Sequence, residues 1–572
     1  MVVLLRGGSV IPMVSGSFGL KMGSAKIFVR PDFLPYLGGM AFLRVEKKKS
    51  GTYLRIVQSY KKDGKPRHKT LYSLGKVEDY PPEQLEKIAH KLLELAGRPI
   101  PKDVDMGLRE IGRFNYGYAL VLNWLWKRYD LSDFLTGYFA KRKLQYDFGA
   151  VFRLLLAERL NEPCSKLGSH GHQTEYIGLA KVELHHLYRS LDELADMAAP
   201  LQQHLYRQQR NLFNLELDVV FYDVTTLYFD SQKQVDGALR QKGYSKDGKH
   251  HKVQVVLGLL VDKQRNPIAY RVYEGNKYEG HTLENAIADL KSAFPVDRVI
   301  TVADRGMLSN DNIEKLKGQC PYIIGERLKN LPRKIQDVLM DTANHRPVFK
   351  GTEGFTYATT VYNGKNIICT WSQKRAKKDC FDRQRLEQKA RQLLEQPHKI
   401  KQKNKRGAQK YIQNQGKDTY TFDEERLKKD SRYDGFLAIA TDIEGFDPAT
   451  VIQQYNQLFE VEHAFRVLKS VLEIRPVFHW TDKRIQGHIT LCFTAYSLLN
   501  DMTKMLACPE NPLIRTLDKM QVSLVEQTEN NQRFYLRANI DENTARLIKK
   551  LKLVVPKDTT PENLIQQYFE QK

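Results

Sequence analysis

The segment from Leu217 to Phe229, LDVVFYDVTTLYF, constrains the fold more than any other stretch of the 572-residue chain. Apart from Asp218 near its start and Asp223 in its middle, its residues suit a strand inside a folded interior. Alternate side chains of a strand share a face, so Leu217, Val219, Phe221, Asp223, Thr225 and Leu227 point the same way. Asp223 therefore stands among large apolar groups, where an unpaired carboxylate is expensive to desolvate. A charge at that position needs something to compensate it.

The segments that follow place this strand in an α/β sheet. KHHKVQVVLGLLVD and NPIAYRVYEG complete a predicted three-strand antiparallel meander. LENAIADLKSAF reads as a helix, DRVITVADRG as a strand, NDNIEKLKG as a helix and PYIIGE as a further strand. Three antiparallel strands followed by strands alternating with helices make a mixed α/β sheet, the order expected of a ribonuclease H-like fold. Residues 330–432 interrupt this rhythm with the strand-like GFTYATTVYNGKNIICTW and a strongly basic helical stretch. The pattern resumes with the strand GFLAIATDI, then one long helix from about Pro448 to Val471, then DKRIQGHITLCFTAYSLLNDMTKML.

Ahead of the sheet lie two regions of different character. From Phe42 to Val77 apolar and basic residues alternate, with turn signals at Ser50-Gly51 and Asp63-Gly64, predicting three antiparallel strands. That stretch holds eleven Lys or Arg against Glu46 and Asp63, so one face is expected to be positive. Residues 81–214 read as helical, and His170, His172, His185 and His186 read as ordinary polar histidines, with no metal-ligand spacing around them. The expected organisation begins with an N-terminal extension (1–39) whose character suggests an over-extended start, a basic β module (40–80) and a helical region (81–214). A ribonuclease H-like core then runs in two segments, 215–329 and 433–504, separated by a β-rich insertion (330–432) and followed by a C-terminal region (505–572).

Charge indicates the partner. Lys and Arg outnumber Asp and Glu by 90 to 67, giving a net charge of +23 and a pI near 9.4, which points to a polyanion such as nucleic acid. The six cysteines show neither zinc spacing nor a disulfide framework, and the expected home is a reducing cytoplasm. No apolar run is long enough to span a bilayer, so no membrane partner is expected.

Three carboxylates stand out by position: Asp223 within the first core strand, Asp304 at the end of VITVAD, and Glu462 in the long helix. Open α/β sheets bind ligands beyond the carboxyl ends of their strands, where Asp304 falls. In YNQLFEVEHAFRVLKS, Tyr455, Glu462 and Lys469 are spaced by seven, nearly two helical turns, which predicts one stripe on one helix. The plain alternative is an amphipathic helix in which Glu462 pairs with Arg466 four residues on. Converging acids repel one another unless a cation neutralises them. Hard oxygen ligands suit Mg²⁺ or Mn²⁺, and two such ions about 3.5–4 Å apart can activate an attacking oxygen and stabilise a leaving one.

With these residues in place, the chain resembles the DDE transposases of bacterial insertion sequences, specifically the insertion-sequence-four superfamily. Its Y-x2-R-x3-E-x6-K signature is matched by Tyr455, Glu462 and Lys469, with Leu458 at the Arg position. YEGNKYEGHTLENA and VADRGMLSNDN also look like family segments. The resemblance implies that Asp223, Asp304 and Glu462 ligate two Mg²⁺ or Mn²⁺ ions. It implies that Tyr455 and Lys469 hold DNA backbone, with Arg466 or Arg475 standing in for the missing Arg. It further implies terminal inverted repeats and target DNA as partners, a homodimeric synapse, and a bacterial, nucleoid-associated setting. The alternatives are a nuclease of the same fold that cuts without joining, and an inactive DNA-binding relic.

Overall fold

The computed structural model describes residues 41–97, 107–209, 219–277, 300–304 and 321–570, less short gaps within them, together with 282 and 288. The N-terminal extension and the two helices expected over LENAIADLKSAF and NDNIEKLKG lie outside the described residues. The chain divides into two compact units, Met1–Asp105 and Met106–Lys572.

The first unit holds β1 (Ala41–Lys48), β2 (Gly51–Lys62) and β3 (Lys65–Lys76) in an antiparallel sheet of order β1-β2-β3; the expected turn at Asp63-Gly64 lies outside the described residues. Arg44 and Arg55 face each other across β1 and β2, and Arg55 pairs with Glu46 at 3.0 Å. A helix, Pro82–Leu95, opens with proline at its first turn, where the missing N–H costs nothing.

The second unit begins with β4 (Leu108–Asn115) and helices Gly117–Arg128, Leu131–Phe139, Phe148–Leu160, Lys166–His172, Leu184–Asp196 and Ala198–Gln209. The sheet strands come next: β5 (Val219–Tyr228), β6 (Gln254–Asp262), β7 (Pro267–Glu274), β8 (Ile300–Ala303) and β9 (Tyr322–Glu326). The 330–432 segment supplies β10 (Arg346–Pro347), β11 (Phe355–Tyr362), β12 (Lys365–Ser372), β13 (Ile412–Gly416) and β14 (Thr419–Phe422). The chain then forms β15 (Phe436–Thr441), β16 (Gln521–Gln527), β17 (Gln532–Arg537) and β18 (Thr559–Pro561).

Nine strands make the main sheet, in the order β10-β11-β12-β15-β9-β8-β5-β6-β7. β5, β6 and β7 pair antiparallel, while β8 runs parallel to both β5 and β9. Within it, β7-β6-β5-β8-β9 is the ribonuclease H-like order 3-2-1-4-5. The insertion adds to this sheet: β12 pairs antiparallel with β15, and β11 folds back on β12 through Asn363-Gly364, both at positive φ as a two-residue hairpin loop requires. Its basic helix, Gln373–Leu394, buries only Ala390 and ties its charges to Asp434, Glu387 and Glu424.

A single hydrophobic cluster joins the helices before β5 to the sheet and to the helix Asp482–Leu506, which is buried over most of its length. That helix packs against Leu184–Asp196 so closely that a Cβ at Gly487 would lie 1.8 Å from the Leu191 carbonyl oxygen. Only glycine permits this approach. β4 pairs with β16, which gives a second sheet of order β18-β17-β16-β4.

Candidate active site

β5 is buried at every position but two, Asp223 and its last residue Tyr228. Val219, Phe221 and Leu227, which share Asp223's face, belong to the same core cluster as Val461, Phe465 and Leu468 of the helix Phe459–Ser470. That helix packs against β5 and β6. Asp223 and the Glu462 helix are therefore on one side of the sheet. Val302 of β8 joins the same cluster, and Asp304, two residues on, shares its parity.

The parallel ladder between β5 and β8 pairs Val219 with Ile300, Val220 with Thr301 and Phe221 with Val302. Asp223 and Asp304 each lie two residues past the last pair of this ladder, Asp304 one residue beyond the end of β8. The Asp223 carboxylate accepts a 2.7 Å hydrogen bond from the Val224 amide. Asp304 and Glu462 are exposed, and among the described residues neither side chain has an ion pair or a hydrogen bond. The Glu462–Arg466 pair is absent, and both side chains face solvent.

The expected single helix from Pro448 to Val471 is two helices, Pro448–Asn456 and Phe459–Ser470. The break is a tightened turn in which the Leu458 amide bonds to the Tyr455 carbonyl, three residues back. Tyr455 thus belongs to the helix before Glu462, half-buried against the core, and the common stripe survives only for Glu462 and Lys469. Leu458, at the signature's Arg position, is 8% exposed within the core. Arg475 lies beyond the second helix with its guanidinium 5.4 Å from the Tyr228 ring centroid, and the Val477 amide bonds to the Tyr228 carbonyl at 3.0 Å.

The three acids do not close into one tight cluster. Among the described residues the only trio of ligand-type side chains with donor atoms within 4.8 Å of one another is Glu158, Cys164 and His172. His172 Nδ1 lies 3.4 Å from Glu158 Oε2 and 3.9 Å from Cys164 Sγ. Spacings of six and fourteen residues match no ligand motif, so nothing in the sequence signals it. Glu158 is also held by the Tyr176 hydroxyl, which donates to it at 2.6 Å.

The strand order defines a mixed α/β protein of ribonuclease H-like architecture. The comparisons narrow this further. Residues 214–498 match the transposase DDE domain, and residues 43–102 match the N-terminal domain of IS1634 family transposases. The chain belongs to the DDE transposases of insertion sequences, and its function is DNA transposition. A crystal structure of the Mos1 mariner paired end complex with Mn is 13% identical, covering 42% of this chain and 72% of that one, with a TM-score of 0.11. At that score the fold assignment rests on the strand order instead. No curated protein matches the chain. Among the described residues no helix is long and apolar enough to cross a membrane.

Proposed function

We propose that Asp223, Asp304 and Glu462 are the acids of this transposase, that they hold Mg²⁺ or Mn²⁺, and that the enzyme cuts and joins DNA at the terminal inverted repeats of its element. The observation that supports this reading is the β5–β8 register: Asp223 and Asp304 each follow its last pair, Phe221 and Val302, by two residues, and the helix of Glu462 packs against β5. The donor set fits a hard divalent ion: three carboxylates, two of them without a protein partner among the described residues. When bound, such ions activate the attacking oxygen and stabilise the leaving one.

The chain's own residues position the DNA. Arg466 projects from the Glu462 helix without a partner among the described residues and is free to meet a phosphate. Lys469 lies two turns along the same helix, and Tyr455 and Arg475 flank its ends. Leu458 can contribute no charge. The basic first unit supplies further phosphate contacts, and synapsis of two ends calls for two copies of the chain. The test is a DNA substrate carrying the element's ends. Cleavage that needs a divalent ion and fails in Asp304→Asn supports the assignment, whereas full activity in that variant rejects it. Joining of a pre-cut 3′ hydroxyl end separates a transposase from a cutting-only nuclease.

A further inference from the structure

A cavity of about 300 Å³ that none of the three acids lines is surrounded by Arg159, Lys166, Arg475, His479 and His488. Its residues come from the helical region, Arg159 to Tyr188, and from the loop after the Glu462 helix together with the helix Asp482–Leu506, Glu473 to His488. Lys166 is 3% exposed, and among the described residues its ammonium has neither an ion pair nor a hydrogen bond. Burial pushes its pKa down to about 7, and the neighbouring Arg159 guanidinium pushes in the same direction. Arg159 is 4% exposed; its Nη1 donates to the Leu472 and Glu473 carbonyls at 3.2 and 3.4 Å, but its Nε has no partner. His488 is equally buried and spends Nε2 on the Ile474 carbonyl, leaving Nδ1 unsatisfied.

The carboxylates nearby do not balance this charge. Glu158 is engaged by Tyr176, His172 and Cys164. Glu473 lines the cavity but is exposed, and its backbone is held at φ +40°, a strained conformation for a non-glycine residue. Buried, unpaired cations are costly to a free protein, and an anion that hydrogen-bonds to them removes the cost. Two aromatic rings also line the cavity, Phe478, which is 60% exposed, and Tyr188. Exposed aromatic rings beside a basic site are surfaces on which nucleic-acid bases stack. The loop is anchored to the far end of the Asp223 strand, since Val477 bridges to Phe229 and Arg475 covers Tyr228.

We propose that this cavity is a second DNA contact, a phosphate site in which Lys166, Arg159 and Arg475 hold one phosphate of a DNA strand while the adjoining base rests on Phe478. The site is separate from the acids and draws on the transposase assignment only for the source of the phosphate. The cavity is near the lower limit of ligand pockets, enough for a phosphate with part of its nucleotide.

The test is fluorescence anisotropy with the full-length protein and a short single-stranded oligonucleotide, with and without a 5′ phosphate, in the presence of a chelator. Because only binding is scored, the outcome does not depend on whether the acids cut. Lys166→Met is expected to weaken binding roughly tenfold or more, as loss of a charge-assisted hydrogen bond does. The same change is expected to raise the melting temperature, because it removes an unpaired buried charge. Phe478→Ala and Arg475→Ala, nearer solvent, are expected to weaken binding without unfolding and read the site even if the Lys166 variant misfolds. A loss confined to the 5′-phosphorylated oligonucleotide identifies a terminal phosphate, and an equal loss for both identifies a backbone phosphate. Oligonucleotide binding unchanged in all three variants overturns the proposal, as does protection of the wild type by inorganic phosphate alone with no effect of the variants on DNA.

Discussion

Asp223 and Asp304 each lie two residues past Phe221 and Val302, the last pair in the parallel β5–β8 ladder, Asp223 within β5 and Asp304 just beyond the end of β8. Under the proposed assignment these two carboxylates would hold the divalent ion. Asp304 makes no hydrogen bond among the described residues and is exposed, so Asp304→Asn should change stability by no more than about 0.5 kcal/mol. Cleavage of end-bearing DNA should nevertheless fall at least about a hundredfold, since a direct metal ligand outweighs a supporting one. Chelation should stop cleavage and leave binding in place. A melting curve beside a cleavage assay checks both; a variant that cuts normally removes Asp304 from the site.

Leu458 bears on whether the departure from the family signature is a defect or a repacking. It is buried where two helices join, within the core cluster that also holds Val461 and Phe465. Restoring arginine by Leu458→Arg should cost about 2–4 kcal/mol, from lost apolar burial and from a charge at an interior position. Leu458→Met should be nearly neutral. Urea denaturation measures the first effect. If the arginine variant is as stable as the wild type and binds DNA more tightly, position 458 faces the DNA and the core assignment is wrong.

The sequence revealed what depends on local pattern. β5 was legible because one carboxylate breaks a run of apolar and β-branched residues, and the helix Asp482–Leu506 because its apolar residues keep helical spacing between the Thr481 cap and Ala507. The break at Gln457-Leu458 was not legible, since neither residue is a breaker and Leu458 keeps helical dihedrals, φ −58° and ψ −23°. One hydrogen bond shifted by a residue leaves no trace in composition. Pairing of β12 with β15 was hidden because about 70 residues separate the partners, as in Cys369 opposite Ala438. The cluster of Arg159, Lys166 and His488 was hidden for the same reason at greater separation. The relation of Glu462 to the two aspartates lies between these cases: their common face follows from periodicity, but the distances between them follow from packing.

Asp430 makes stability acid-sensitive in the inserted segment. Its carboxylate lies 2.6 Å from Lys329 Nζ and 2.7 Å from Lys410 Nζ, and the Tyr411 hydroxyl donates to it at 3.1 Å. Burial alone would raise its pKa, but the two lysine hydrogen bonds outweigh this and hold it at about 2. The unfolded chain therefore binds the proton more tightly than the folded one. The contribution is fully present above the ordinary aspartate range and is lost as pH falls through about 2. Asp430→Asn should cost about 1–2 kcal/mol near neutrality, discounted because Lys329 is half exposed. The gap between variant and wild type should close in urea melts taken below about pH 4.

In the first unit, Arg67 and Lys69 are exposed, two residues apart on β3, and so share a face. If that face lies along DNA, replacing both with alanine should weaken binding and flatten the plot of log affinity against log salt by about two. An unchanged slope would assign the basic strands to solvent.

Lys166 gives the cavity a pH signature distinct from that of the acids. Its pKa of about 7 in the folded protein lies below that of an exposed lysine, with burial and Arg159 lowering it and the Cys492 and Cys164 thiols and Glu158 opposing them. Between about pH 7 and the ordinary lysine range near 10.4 the unfolded chain holds the extra proton, so without ligand stability should rise with pH across that window. Oligonucleotide binding should move the opposite way, because a neutral amine holds phosphate weakly. Phosphodiesters do not titrate here, and neither does His479, which burial, Lys166 and Arg159 hold at about 4. A bound phosphate raises the lysine pKa, which places the midpoint of the binding loss at or above about 7. Lys166→Met should remove the fall in binding and the Lys166 share of the stability rise, leaving only the rise above about pH 8 that Lys504, lowered to about 8 by burial, supplies in both proteins. Anisotropy and thermal melts across that range check the pair together, and wild-type binding that does not fall as pH rises would exclude Lys166 as a phosphate ligand.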